Sequence, residues 1–151
     1  MWLDEATLKE AVENGVKFTL RNNNLEVIAS DKKNEITDNK SYVKINLINE
    51  MDKEIYLFPV FENIVKYLKN NQDKFSEVQF SNFDEEEILS ISGETLNIIA
   101  AYIVKKFNLS GKKADISTPE YSFFNPDLNN IQNKNYFRII IDNLLLFYII
   151  V

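Results

Sequence analysis

The densest run of ionisable side chains in this 151-residue chain is Asp84-Glu85-Glu86-Glu87. Four adjacent carboxylates can hold a divalent cation or imitate the phosphates of a nucleic acid. A calcium loop needs oxygen ligands at spaced positions and a glycine at its sharp turn, and this run has neither. At the start of a helix the same run needs no ligand, because it complements the helix dipole and stays solvated. Asp84 as N-cap with Glu87 three residues on is a capping-box-like spacing. The run is read first as a helix start and second as an acidic partner-binding surface.

A second candidate surface is Tyr121, Phe123 and Phe124, set between Pro119 and Pro126. Such aromatics either pack a loop over the core or present a binding face. Lys105, Lys106, Lys112 and Lys113 cluster where a helix should end, and cations there favour its C-terminal dipole. The chain holds 23 Asp and Glu, but nothing selects two of them as a glycosidase pair.

The missing residues bound the chemistry further. There is no His and no Cys. That removes thiol nucleophiles, disulfides, Cys/His zinc sites and imidazole acid–base catalysis. The three glycines, Gly15, Gly93 and Gly111, cannot build a phosphate-cradling loop, and no nucleophile elbow occurs. No metal or cofactor is expected. Net charge is −6, with a pI near 4.8, a poor match to nucleic acid. A protein partner with a basic surface suits such a chain better. The lack of Cys fits a cytoplasmic setting. No signal peptide is apparent. The heavy use of Asn, Lys and Ile suggests an AT-rich bacterial or phage genome.

These residues need elements to hold them. The stretch Lys53 to Asn71 is the organising unit. Ile55 to Val60 is apolar on both faces and predicts a covered strand. A helix follows from Phe61 or Glu62 to Lys69, burying Ile64, Val65 and Leu68. Upstream, Leu3 to Asn14 predicts a helix closed by Gly15. Val16 to Leu20 and Leu25 to Ala29 predict a hairpin around Arg21-Asn22-Asn23-Asn24. Ser30 to Lys40 reads as an exposed loop. Tyr42 to Ile48 alternates like a half-buried strand and pairs with the organising strand.

Downstream, Glu77 to Phe80 is a short strand candidate. Asp84 to Ile91 begins a helix that Gly93 breaks or weakens. Glu94 to Phe107 is a helix with so little polar face that most of it must be buried. Ala114 to Ile131 reads as irregular. The apolar tail, Tyr136 to Val151, is short for a membrane span and carries Arg138 and Asp142. Its β-branched content favours a hairpin turning at Asp142-Asn143 over a buried helix. No internal repeat is apparent. The expected fold is one α+β domain over 1–151, a mixed or antiparallel sheet packed with about three to four helices.

The segment Ile45 to Asn71 resembles the SseB-like N-terminal domain, named for the enhanced-serine-sensitivity protein. The likeness lies in a strand, a polar turn, a strand ending in Pro59-Val60-Phe61, and a helix. Glu62-Asn63 stands where that family usually has Thr-Ser. Asn125-Pro126 is similar to a later Asn-Pro of the family, in a different setting. The resemblance implies a mixed α/β domain without an established catalytic site. The functional expectation is a non-catalytic protein-binding module, SseB-like or a small acidic inhibitor or immunity protein. An enzyme confined to Asp, Glu, Lys, Tyr or Ser chemistry is the runner-up, and a phage structural protein comes third. The expected contact residues are Asp84, Glu85, Glu86, Glu87, Tyr121, Phe123 and Phe124.

Overall fold

The structure, a computed structural model, describes residues 3–30, 36, 41–49, 52–75, 84–109, 111, 114–123, 127–133 and 135–151. Helix α1 spans Glu5–Leu20. Asp4 caps it, its Oδ1 accepting from the Thr7 N–H at 2.8 Å, and the Thr7 hydroxyl, then this N–H, hold the Asp4 carboxyl below its usual pKa. The expected stop at Gly15 does not occur. Val16 and Leu20 extend the buried stripe of Leu8 and Val12 at helical spacing, and that stripe overrides the propensity of one glycine. Arg21, at φ 51°, makes the left-handed exit instead. The expected hairpin after Gly15 is therefore wrong.

The strands are β1 (Glu26–Ser30), β2 (Tyr42–Asn49), β3 (Lys53–Pro59), β4 (Ala114–Ile116), β5 (Glu120–Ser122), β6 (Tyr136–Ile141) and β7 (Leu144–Ile150). They form one antiparallel sheet in the order β1-β6-β7-β3-β2-β4, with β5 also on the outer edge of β2. The stretch expected to be irregular thus carries an interrupted edge strand. Pro119 sits in the break, where no ladder donor is needed. Ser117 patches it: its N–H donates to the Asn46 carbonyl and its hydroxyl accepts from the Asn46 N–H, each at 2.9 Å.

Strand β3 lies between β2 and β7, as its two apolar faces predict. Ile55 and Leu57 face the main core, while Tyr56 and Phe58 face a smaller cluster with Ile36, Ile131 and Ile150. The expected exposed loop thus holds a buried residue, Ile36, and its other members from 31 to 40 lie outside the described residues. The tail is the expected hairpin. Asp142 and Asn143 take φ 54° and 62°, the two left-handed positions of a tight hairpin turn.

Helix α2 spans Phe61–Asn70 and α3 spans Glu85–Leu109. The three helices cover one face of the sheet. Helix α3 runs unbroken through Gly93, carried by buried Leu89 and Leu96 on either side, and the Tyr121 ring lies against that glycine where a Cβ would stand. It has the length and hydropathy of a membrane span, yet it packs on α1, β2 and β3 as a core helix. The strand candidate Glu77 to Phe80 lies outside the described residues.

The sheet order has a symmetry that the sequence hides. The unit α1, β1, β2, β3 matches the unit α3, β4/β5, β6, β7. Strands β3 and β7 meet at the centre, and each unit lends its first strand to the far edge of the other. Helices α1 and α3 cross at Gly15. A Cβ there would overlap the Ile99 side chain and lie 3.2 Å from the Thr95 carbonyl oxygen. Glycine is what lets the backbones approach.

Candidate functional site

Helix α3 is sheathed by apolar contacts on most sides. Ile88, Leu89, Leu96, Ile99, Ala100, Ile103 and Phe107 are all buried. Ser92 and Thr95 are buried too, and their hydroxyls donate back to the Ile88 and Ile91 carbonyls at 2.7 and 2.8 Å. The exposed face of the helix runs as a ridge from Glu86 to Asn108, polar over its first half and passing through Ala101 and Lys105 in its second. Ser90, Glu94 and Asn97 stand on it, spaced i, i+4 and i+7. That spacing stacks them on one face, over roughly 10 Å of axis. Among the described residues nothing bonds the Glu94 carboxylate.

Two grooves flank the ridge. One, of about 610 Å³, has Phe18, Leu20, Leu68 and Phe75 for walls and Ser90 and Glu94 on its rim. Arg21 closes one end, its guanidinium 5.5 Å from the Phe75 ring centre and donating to the Lys74 carbonyl at 2.7 Å. The other, of about 530 Å³, lies between Glu86, Glu87, Leu89 and Ser90 on α3 and Tyr121 and Phe123 beside it. Phe18, Tyr121 and Phe123 are 70, 49 and 51 % exposed. Three of the five large apolar side chains exposed among the described residues therefore border this one ridge.

The structure brings the two expected contact sets together. Asp84 is the N-cap, accepting from the Glu87 N–H at 2.9 Å. Glu85 accepts from the Ser41 hydroxyl at 2.6 Å. Asp84 and Glu85 thus do local structural work, and Glu86 and the half-buried Glu87 also line a groove with Tyr121 and Phe123. Phe124, Lys112 and Lys113 lie outside the described residues. Lys106 stands 5.4 Å from the Tyr102 ring centre.

Ser90, Glu94, Asn97 and Phe18 were not singled out by sequence. Their signal was present: three polar residues at helical spacing inside a segment whose other positions are nearly all apolar. The ridge carries a carboxylate acceptor, a carboxamide that donates and accepts, and a hydroxyl. It can orient a water or a polar partner group. Among the described residues, no cluster of three acidic side chains could hold a metal ion.

A second polar group lies on the opposite face of the sheet. Lys44 pairs with Glu54 at 3.5 Å and Glu120 at 3.4 Å. Burial opposes its charge, but the two carboxylates overcome this and raise its pKa. Burial, then the hydrogen bond to Glu54, push the Tyr56 phenol well above its ordinary range. This network ties β2, β3 and β5 together.

No protein-family model matches the sequence, and no curated protein does. Solved structures do match in fold. A CheC-like superfamily protein from Shewanella sp. PV-4 aligns with a TM-score of 0.71 at 15% identity, covering 99% of this chain and 96% of its own. Chemotaxis protein CheX from Vibrio vulnificus gives 0.68 at 14%, covering 95% and 93%. A chain of the CheX–CheY–BeF3–Mg complex from Borrelia burgdorferi gives 0.67 at 18%, covering 95% and 93%. The α+β fold is therefore that of CheX and CheC-like proteins. The resemblance to the SseB-like domain does not stand, since a likeness over nearly the whole chain replaces one over a short segment. The Pro59-Val60-Phe61 triplet that carried it is a β3–α2 junction, where the Val60 N–H donates to the Leu146 carbonyl at 2.8 Å. Many strand–helix junctions can share so short a pattern. The inhibitor or immunity reading has no counterpart among these neighbours and falls with it.

Proposed function

We propose that the chain is a protein-binding module that docks a CheY-type protein in its phosphoryl-bearing state, through the Ser90–Glu94–Asn97 ridge of α3. The observation that carries this is the ridge itself: an exposed line of hydroxyl, carboxylate and carboxamide on a mostly buried helix, bordered by exposed aromatics. The fold supports the choice of partner, because a chain of the same fold has been solved with CheY, BeF3 and Mg. BeF3 bound to a carboxylate has the shape and charge of an acyl phosphate. Glu94 is not suited to hold that anion directly, since like charges repel. It suits the groups around the anion: a cation, an ammonium or a water. Asn97, one turn away, offers a donor and an acceptor to the same groups. Phe18, Tyr121 and Phe123 supply the apolar contact area. Glu86 and Glu87 on the rim steer a basic partner surface, so association slows as salt rises. A cytoplasmic setting belongs to this reading.

A second reading has one specific observation in its favour, the i, i+3 pairing of Glu94 with Asn97. A carboxylate and a carboxamide so placed can orient water for in-line attack on phosphorus. The water oxygen then bonds to phosphorus as the bond to the partner's carboxylate oxygen breaks. Inorganic phosphate and the free carboxylate result, with one proton released.

The experiment is titration of the chain with the CheY-type proteins of its source organism, with and without BeF3 and Mg. Tighter binding of the BeF3-loaded form, lost in Glu94→Gln and Asn97→Ala, is expected. Equal affinity for both forms, or no effect of the two substitutions, would remove the ridge from the reading. Phosphate release from the phosphorylated partner, faster with the wild type than with either variant, tests the second reading.

A further inference from the structure

The internal symmetry sets Ala6, Glu10 and Glu13 of α1 opposite Ser90, Glu94 and Asn97 of the ridge, so that only Glu94 has a chemical counterpart. Helices α1 and α3 meet at Gly15 and Ile99, so these two are taken as equivalent. Buried Leu8, Ala11, Val12 and Val16 then coincide with buried Ser92, Thr95, Leu96 and Ala100. Glu10 becomes the counterpart of Glu94, and Phe18 the counterpart of Tyr102. The surroundings agree. Phe18 and Glu94 line one groove, while the Tyr102 hydroxyl donates to Glu10 Oε1 at 2.6 Å. One carboxylate is latched by a phenol from the other helix. Its twin shares a groove with a ring that has no hydroxyl.

We propose that Phe18 is a positioning residue whose missing hydroxyl leaves Glu94 unlatched and open to a partner, while its twin Glu10 is held closed. The inference rests on the docking role given to Glu94 above. The hydrogen bond between Tyr102 and Glu10 occupies a lone pair that a partner would need. It also makes the pair hold its proton harder, raising the Tyr102 pKa. A phenol at position 18 would impose the same state on Glu94.

Two readouts on Phe18→Tyr test this. Residue 18 is exposed, so an added hydroxyl does not endanger folding. In the first readout, Cζ-labelled tyrosine is titrated by NMR in the isolated protein. The added phenol is expected to titrate above the ordinary tyrosine range, as Tyr102 does, and to return toward it in the double variant with Glu94→Gln. In the second, affinity for the BeF3-loaded CheY-type protein is expected to fall about tenfold. That is the scale of one charge-assisted hydrogen bond that must break first. Tyr102→Phe, which unlatches only Glu10, is expected to leave that affinity unchanged. An added phenol that titrates normally overturns the latch. A latched Glu94 with undiminished affinity overturns its role in binding. If the wild type binds no CheY-type protein, the docking reading fails by itself, and the NMR titration still decides whether Phe18 keeps Glu94 free.

Discussion

Replacing Gly15 by valine puts a side chain where the two halves of the molecule touch. A Cβ at this position would overlap the Ile99 side chain and stand 3.2 Å from the Thr95 carbonyl oxygen and 3.3 Å from the Ile99 nitrogen. The last two are backbone atoms of a long helix and have no rotamer to escape into. The helices must separate, and overpacking of this kind costs about 1–3 kcal/mol. Removing glycine from a helix interior returns a few tenths of a kcal/mol with valine and about 1 kcal/mol with alanine. Gly15→Val should therefore lose about 0.5–2.5 kcal/mol. Gly15→Ala, with one added carbon, should lie between neutral and a loss of about 2 kcal/mol. For a chain of this length the valine loss lowers Tm by roughly 1–10 °C. Urea melts at constant m-value, with a thermal scan beside them, measure it. A valine variant as stable as the wild type would mean that α1 and α3 do not touch at Gly15, and the pairing of Glu10 with Glu94 would lose its anchor.

Other expectations follow from the same structure. Leu57 is fully buried in β3, and Leu57→Ala should cost about 2–5 kcal/mol in denaturant melts. Asp84→Ala removes the cap of α3 and should cost about 1 kcal/mol. Asp84→Asn should retain most of that, which separates capping from charge. The Tyr56 phenol is raised above its unfolded value by burial and Glu54. Its contribution to stability is therefore complete below the unfolded tyrosine pKa and is lost as pH rises from there toward the folded value. Melts of Tyr56→Phe should show a shallower alkaline decline than the wild type. Equal slopes would mean that Tyr56 is not held protonated.

The strands that alternate or are apolar on both faces were legible in the sequence. Tyr42 to Ile48, the Ile55 strand and the tail hairpin at Asp142-Asn143 all stand where the pattern put them. The Asp84 cap was legible from spacing alone. The errors came where tertiary contact overrides local chemistry. Gly15 and Gly93 look like helix stops, but each is small because something sits on it: Ile99 in one case, Tyr121 in the other. The edge strand beside β2 was hidden by Pro119, which signals a break and not the ladder on either side. The repeat was hidden because symmetry preserved burial and not identity: Val12 answers to Leu96 and Phe18 to Tyr102. The site was half legible. Charge drew attention to the acidic run, of which Asp84 and Glu85 serve the fold. Ser90, Glu94 and Asn97 carry no motif in sequence, and only the fold shows that they are exposed on one face.

The most direct test of the proposed docking is the affinity difference between BeF3-loaded and unloaded CheY-type protein, measured for the wild type and for Glu94→Gln by calorimetry in one buffer. A preference for the loaded form that disappears in the variant, with the fold and melting curve unchanged, is the result predicted. A preference that persists in the variant would place the binding surface elsewhere on the molecule and contradict the role given to the α3 ridge.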